Sequence, residues 1–345
     1  MKFSILIPVY NVSPFLSKCL DSVMSQDYDD FEVVVVDDGS TDDSGKICDD
    51  YQNRFPDRIR VIHKDNQGLI SARRIGINEA SGDYCVFVDS DDYVSGDLLS
   101  SLSSFIEQKK VDIVLYLFTY FNNNGLQNKR KSLFNDGRIW TGDEKKELYE
   151  LLATSSSIDA LVIKAIKTPL LKEDSINYTL YFNKNMSEDT LQSIYPLTAA
   201  ESVGYLDKSL YYYRYNPSSI SRNYSIETLK NKDTLHVYNE IIKFLPVWEL
   251  DTDDFRKRVN ARWFDEAMYL FVKCYSSANS QGRKTILSFD WDSMIPCLDV
   301  ESYKEYVSDF HLKLYNWYKN KNYFAIRQFF FRNKIYQKYK KIKSI

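Results

Sequence analysis

Histidine is almost absent from this 345-residue chain, which has three histidines, five cysteines, eleven glycines and eight prolines. His63, His236 and His311 are isolated; His63 ends a strand pattern and His236 lies in a helical one, so both read as structural rather than as metal ligands. Cys19, Cys48, Cys85, Cys274 and Cys297 are odd in number and scattered, with neither a zinc spacing nor a disulfide framework. A reducing cytoplasm is therefore the expected compartment. No stretch approaches the roughly 18–20 apolar residues that span a bilayer. The opening Met1-Lys2-Phe3, followed by Ser4-Ile5-Leu6-Ile7-Pro8-Val9, has one basic residue and a short apolar run, which suits a first strand rather than a secretory leader. Neither G-x-x-x-x-G-K-[ST] nor G-x-G-x-x-G after the first strand is present, which argues against a P-loop kinase and a dinucleotide-dependent dehydrogenase. Acidic residues vanish from one segment: residues 310–345 hold ten Lys or Arg and no Asp or Glu, so a net charge of −3 conceals −13 on residues 1–309.

The first hundred residues alternate strand and helix signals. Phe3 to Tyr10 is an apolar β-branched run, and Ser13 reads as an N-cap with Pro14 at the first helical position. Phe31 to Val36 is continuous and apolar, as in a strand covered on both faces. Arg58 to His63 reads as the third strand, Ser71 to Ala80 as a helix with Gly82 as its C-cap, and Tyr84 to Val88 as the fourth strand. This order predicts a largely parallel sheet flanked by helices, in which ligands bind beyond the carboxyl ends of the strands. Further on, the pattern predicts a helix over 97–108, a strand over 111–121, a tight turn at Asn122–Gly125 and a helix over 143–153. A helix over 188–200 then precedes two strands, 203–206 and 210–213. From about residue 226 only helical patterns remain, which places a boundary near 225.

Two acidic clusters fall at carboxyl ends of strands. Asp89-Ser90-Asp91-Asp92 offers hard oxygen ligands suited to Mg²⁺ or Mn²⁺ held together with substrate phosphates, or it is an acidic turn before the next helix. An EF-hand loop is excluded, since the fifth and twelfth positions from Asp89 are Tyr93 and Ser100. Asp37-Asp38-Gly39-Ser40 either reads a base or ribose, or caps and turns the chain.

Their order is more specific than either cluster. Ser4-Ile5-Leu6-Ile7-Pro8-Val9-Tyr10-Asn11, Val35-Val36-Asp37-Asp38-Gly39-Ser40-Thr41-Asp42, Asn66-Gln67-Gly68 with Ala72-Arg73, and Gly82-Asp83-Tyr84 leading to Val88-Asp89-Ser90-Asp91-Asp92 resemble the family 2 glycosyltransferases. The resemblance is dense over about residues 1–100 and loose to about 222. It implies a GT-A fold: a Rossmann-like, mainly parallel α/β sheet, followed here by a C-terminal helical region. The nucleotide-sugar half would occupy about 1–100, the acceptor half about 101–225, and the helical region with its basic aromatic tail 226–345.

The resemblance also implies roles. Asp38 would hydrogen-bond uracil, with Pro8, Val9 and Tyr10 lining the base pocket. Gly68 and Arg73 would lie beside the nucleotide and its diphosphate. Asp89 and Ser90 would face the ribose and metal shell, and Asp91, with Asp89, would hold Mn²⁺ or Mg²⁺. Ser187-Glu188-Asp189 resembles the family's acidic pair, with Asp189 as general base and Glu188 at the acceptor site; the family's usual Gly is Ser187 here. Tyr211-Tyr212-Tyr213-Arg214 with Ser218-Ser219-Ile220-Ser221 resembles the segment that closes over the diphosphate. Arg74 stands where the family usually has Asn, which puts local hydrogen bonding there in question.

The implied activity is inverting transfer of a hexose or N-acetylhexosamine from a UDP-sugar to a saccharide hydroxyl, in cell-surface polysaccharide or glycoprotein glycan synthesis. The alternatives are a catalytically silent binding module of the same fold, or a sugar nucleotidyltransferase. The latter opens with a Gly-rich, Arg-containing loop where this chain has Asn11-Val12-Ser13-Pro14. The absence of a Q-x-x-R-W stretch and of a membrane span disfavours a processive synthase. The basic aromatic tail from Phe324 suits an anionic membrane face near a lipid-linked glycan acceptor, the acidic body of this or another subunit, or plain solvation. Nucleic acid is not an expected partner.

Overall fold

In the computed structural model, residues 1–121, 127–182, 184, 187–216 and 235–332 are described. The expected boundary at 225, the turn at 122–125 and the serines at 218–221 lie outside these residues. The chain divides into two compact units, Met1–Ser218 and Ser219–Ile345.

The first unit is built on a ten-stranded sheet. Its parallel half is made by β1 (Phe3–Val9), β2 (Phe31–Asp37), β3 (Ile59–His63) and β4 (Tyr84–Phe87), in the order β3-β2-β1-β4. Val33 to Val36 are at most 1% exposed, as a β-branched run covered on both faces requires. Helices α1 (Ser13–Met24), α2 (Ser44–Arg54) and α3 (Leu69–Glu79) connect these strands. The α3 helix lies on β1 and β2 at Gly76, where a Cβ would already be in van der Waals contact with Leu6 and Val36. Next come the short β5 (Tyr93–Val94), α4 (Leu98–Lys109) and β6 (Ile113–Phe121), with β7 (Gln127–Lys129) paired to β6 and β8 (Ile139–Thr141) further along. The sheet is completed by β9 (Lys164–Lys167) and β10 (Ser202–Tyr213), giving β4-β9-β6-β10-β5. Helices α5 (Lys146–Thr154), α6 (Thr168–Lys172) and α7 (Glu188–Ala199) belong to this half.

Several local expectations are corrected. Ser13 is not a side-chain cap: α1 starts there, and its amide is capped by the Asp42 carboxylate at 3.0 Å while Val12 donates to Ser44 Oγ at 2.9 Å. The expected helix over 143–153 opens with a 3-10 turn, Gly142–Lys145, before α5. The two strands around Asp207 are one, β10, whose register against β6 shifts on either side of Ser209 and so absorbs the polar interruption. Strand β9 was not predicted, because the run Leu161–Lys167 carries lysines that read as exposed. In fact Lys164 is fully buried, and its ammonium donates to the carbonyls of Ile158, Asp159 and Ala160 at 2.5, 2.8 and 2.7 Å.

In the second unit, helices Leu235–Phe244, Asp253–Ser277, Ser280–Ser288 and Asp309–Lys319 bury an aromatic core. Trp263, Phe264, Phe271, Trp291 and Tyr303 are wholly enclosed there, with Phe271 and Trp291 ring centroids 4.9 Å apart. No described helix is long and apolar enough to cross a membrane.

Gly82 does not cap α3, which ends at Ala80 in extended conformation. Instead its backbone presses against β1: an added Cβ would lie 2.7 Å from the Phe3 carbonyl carbon and the Ser4 nitrogen. Gly82→Ala must push β1 away from this turn and is expected to cost about 1–3 kcal/mol of stability. Urea unfolding checks this, and an unchanged midpoint would mean the turn yields freely.

Candidate active site

The carboxyl ends of β1, β2 and β4 bring Val9, Asp37-Asp38 and Asp89 to one edge of the sheet, with the Asp38 amide donating to the Val9 carbonyl at 2.9 Å. Pro8 and Val9 are buried within β1, whereas Tyr10 just beyond it is 47% exposed. Asp37 accepts from the Ser40 amide at 3.0 Å and is 2.9 Å from His63 Nδ1; His63 also contacts Asp49, and these two carboxylates raise its pKa. Asp38 is buried and accepts from Lys64 Nζ, from the Gln67 amide at 3.0 Å and from the Gly68 amide at 2.8 Å. Gly68, with φ +90°, occupies the left-handed backbone region that opens α3.

One turn and a half into α3, Arg73 points to the second acidic cluster. It is 1% exposed, with Nη2 donating to Asp89 Oδ1 at 3.0 Å and Nη1 to Asp189 Oδ1 at 2.5 Å. Burial alone would lower its pKa, but Asp189, Asp89 and Glu188 outweigh that and hold it firmly cationic. Asp89 is pushed up to about 6 by burial; Arg73 opposes the rise, and Asp189 and Asp91 add to it. Ser90 is buried in the turn. Asp91 Oδ2 accepts from Asn216 Nδ2 at 2.8 Å. Asp92 is buried and accepts from Tyr211 Oη at 2.7 Å and the Arg214 amide at 2.8 Å; burial first, then Asp91 and Asp89, raise its pKa well above the carboxylate range.

Arg214 closes this turn from β10. Its Nε donates to the Asp91 carbonyl at 2.5 Å, and Nη2 donates to the carbonyls of Phe15 at 2.7 Å and Asp92 at 3.2 Å. The guanidinium thus ties the Asp91-Asp92 backbone to α1. Asn216 received no role from the sequence, and the pairing of Asp92 with Tyr211 was not visible there. Strand alternation gives no signal for it, since Leu210 and Tyr211 are both fully buried in β10, Tyr211 beneath the acidic turn.

Glu188 and Asp189 open α7, entered through Ser187 with φ +55°, a left-handed conformation that a glycine takes more easily. The helix is anchored by Thr190 Oγ1 to Asp159 Oδ2 at 3.1 Å and by Ser193 Oγ to the Asp159 carbonyl at 3.3 Å, in the loop that Lys164 holds. Burial, and then Asp189, raise the Glu188 pKa, with Arg73 opposing. Tyr213 adjoins the same charges: burial, followed by Asp89 and Asp189, raises its phenol well above the usual range.

Asp89, Asp189 and Glu188 therefore gather around Arg73, while Asp91 and Asp92 gather with Arg214 and Asn216. Asp38 and Gly68 form a separate cluster at the start of α3. Among the described residues no three His, Cys, Asp or Glu side chains converge as a metal cage. A cation here would take Asp91 and Asp89 and complete its shell from substrate and water oxygens, an arrangement that suits Mg²⁺ or Mn²⁺. The hard oxygen donors of Asp91 and Asp89 fit such an ion.

The sequence profile described as "Glycosyl transferase family 2" matches residues 4–173. The "Uncharacterized glycosyltransferase EpsJ" of Bacillus subtilis (strain 168) is 36% identical over 220 residues, covering 63% of this chain and 62% of that protein. Glycosyltransferase GlyA of Streptococcus pneumoniae serotype 4 is 34% identical over 228 residues, covering 64% and 32%. The chain thus spans less than two thirds of the length of both. Among solved structures, Staphylococcus aureus TarS 1-349 in complex with UDP-GlcNAc aligns with a TM-score of 0.62 at 23% identity, covering 93% of this chain and 88% of that one. The shared architecture is GT-A-like, with a helical C-terminal region.

The Glu188 shift has a signed consequence. The folded chain keeps this proton to higher pH than the unfolded chain, so the group costs stability as pH rises from the ordinary glutamate range toward neutrality. Glu188→Gln removes that cost. Its melting temperature should exceed wild type at about pH 8 and converge with it near about pH 4. Equal gains at both pH values would refute this.

Proposed function

The chain belongs to glycosyl transferase family 2 through residues 4–173, and on that premise we propose that it transfers a sugar from a UDP-sugar, with inversion, to a saccharide hydroxyl of a cell-surface polymer. The observation that carries this reading is the convergence of Asp189 on Asp89, through Arg73, at the carboxyl edge of the sheet. Asp189 Oδ1 is engaged by Arg73, Oδ2 has no hydrogen bond among the described residues, and the side chain is 26% exposed. That leaves one oxygen for the acceptor hydroxyl proton, as a general base requires. The attacking oxygen displaces the nucleoside diphosphate from the opposite face of the anomeric carbon. In this reading Asp38, Gly68 and the exposed Tyr10 serve the nucleotide beyond β1 and β2, and Glu188 serves the acceptor. A divalent cation on Asp91 and Asp89 would supply Lewis-acid stabilisation of the leaving diphosphate. Support for the donor class comes from the fold shared with TarS, whose structure holds UDP-GlcNAc. The proteins named poly(ribitol-phosphate) beta-N-acetylglucosaminyltransferase TarS, 30% identical over 217 residues, favour a polymer acceptor.

Release of UDP from a panel of UDP-sugars, with and without saccharide acceptors, tests the activity. Asp189→Asn and Asp91→Asn should each retain the folded circular dichroism spectrum and lose about 100-fold or more of transfer. Chelation should abolish the rate and added Mn²⁺ restore it. Near wild-type transfer by Asp189→Asn would remove that residue from the mechanism, and a silent binding module would release no UDP at all.

The C-terminal stretch is proposed as a peripheral contact with an anionic bilayer. Residues 323–332 are helical. One face packs inward: Ile326 is fully buried, Phe329 stacks on Phe310 at 4.8 Å and Phe330 lies 4.5 Å from Tyr275. Phe324 and Phe331 are 72% and 63% exposed, seven residues apart with exposed Arg327 between them. Phe324→Ser/Phe331→Ser should reduce sedimentation with phosphatidylserine-containing vesicles while preserving the fold. Unchanged sedimentation would exclude the membrane, and loss of a dimer in light scattering would instead assign the face to a second copy of the chain.

A further inference from the structure

Arg73 departs from what a diphosphate ligand requires. Such a residue must present free N–H groups to the cleft, but this guanidinium is 1% exposed, and both terminal nitrogens are bonded to carboxylates. Its Nε is buried with no partner, so the fork is aimed at the two acids at the expense of its own third donor. The acids come from different parts of the unit: Asp89 ends the β4 segment, and Asp189 is on the first turn of α7, 116 residues from Arg73.

We propose that Arg73 is a positioning residue for the transfer step, setting the separation between Asp189 and Asp89; this rests on the reading of Asp189 as the base. A planar guanidinium with two occupied terminal nitrogens fixes both partners in one plane, which a single ammonium cannot do. The same helix begins at Gly68, whose amide holds Asp38 at 2.8 Å. Through one rigid element, α3, the nucleotide-side aspartate, the cation-side aspartate and the base are placed relative to one another. Arg73 acts through Asp189 and Asp89, and it is the base's geometry rather than donor affinity that depends on it.

The test uses the full chain with Arg73→Lys, Arg73→Gly and Asp189→Asn, reading UDP affinity by calorimetry and steady-state kinetics with the donor that releases UDP fastest. Arg73→Lys should bind UDP within about threefold of wild type and hold the donor KM, while kcat falls about 100-fold, the effect of misplacing a reacting group by about an ångström. Added guanidinium should restore part of kcat in Arg73→Gly and none in Asp189→Asn; it also serves as the folded-state control if Arg73→Lys fails to fold. A UDP affinity weakened more than about tenfold, with kcat unchanged at saturating donor, would make Arg73 a diphosphate ligand and overturn the proposal. Wild-type kinetics in Arg73→Lys beside a dead Asp189→Asn would overturn the positioning role alone. An active Asp189→Asn would overturn the base assignment itself.

Discussion

A buried guanidinium is the constraint on which this acidic site depends. Removing a cation from water is costly unless it is paired and hydrogen-bonded. Arg73 meets that condition only when β4, α3 and α7 all occupy their places, because its partners Asp89 and Asp189 belong to the other two segments. The dependence runs both ways. Asp89 and Asp189 repel each other, and the Asp89 pKa is raised despite the arginine. Without Arg73 the two carboxylates would have no cation between them.

A second buried cation supports the first. Lys164, in the middle of the sheet, replaces its hydration shell with three backbone carbonyls of residues 158–160. That loop carries Asp159, whose side chain and carbonyl receive Thr190 and Ser193 of α7. Asp189 is therefore located from both sides, by Arg73 at its carboxylate and by the Lys164 loop beneath its helix. Burial pushes the Lys164 pKa down to about 8, with Asp189 and Asp159 opposing the fall.

The parallel half of the sheet was readable in the sequence because each strand is a short apolar run ending in a polar turn, and turn chemistry and periodicity are local signals. Asp89, Asp91, Asp38 and Asp189 came to notice through motifs of the same local kind. What escaped depends on contacts between distant segments. A lysine in an apolar run reads as exposed until three carbonyls are found around it, so β9 was missed. Gly82 reads as a helix cap until β1 is seen pressed against it. The family resemblance puts Arg73 beside the nucleotide and its diphosphate, and only tertiary structure shows both of its terminal nitrogens bonded to carboxylates. Asp92 was visible as a member of its cluster, but its pairing with Tyr211 and the Arg214 amide spans about 120 residues.

The charge balance of the site bears on how a donor would bind. Asp89, Asp91, Asp92, Glu188 and Asp189 lie at this edge of the sheet with the guanidiniums of Arg73 and Arg214 bonded among them, and the buried Lys164 ammonium acts on Asp189 as well. Arg73 is taken by two carboxylates, and Arg214 spends its donors on backbone carbonyls. Burial first, and then the neighbouring carboxylates, raise the pKa values of Asp89, Asp92 and Glu188. A nucleoside diphosphate arriving at this turn would meet like charge from these carboxylates. Under the proposed reading, a divalent cation on Asp91 and Asp89 turns that repulsion into attraction. Arg73, bonded to both Asp89 and Asp189, couples the carboxylate proposed as the base to the one proposed on the cation side, so a change of charge at either is felt by the other.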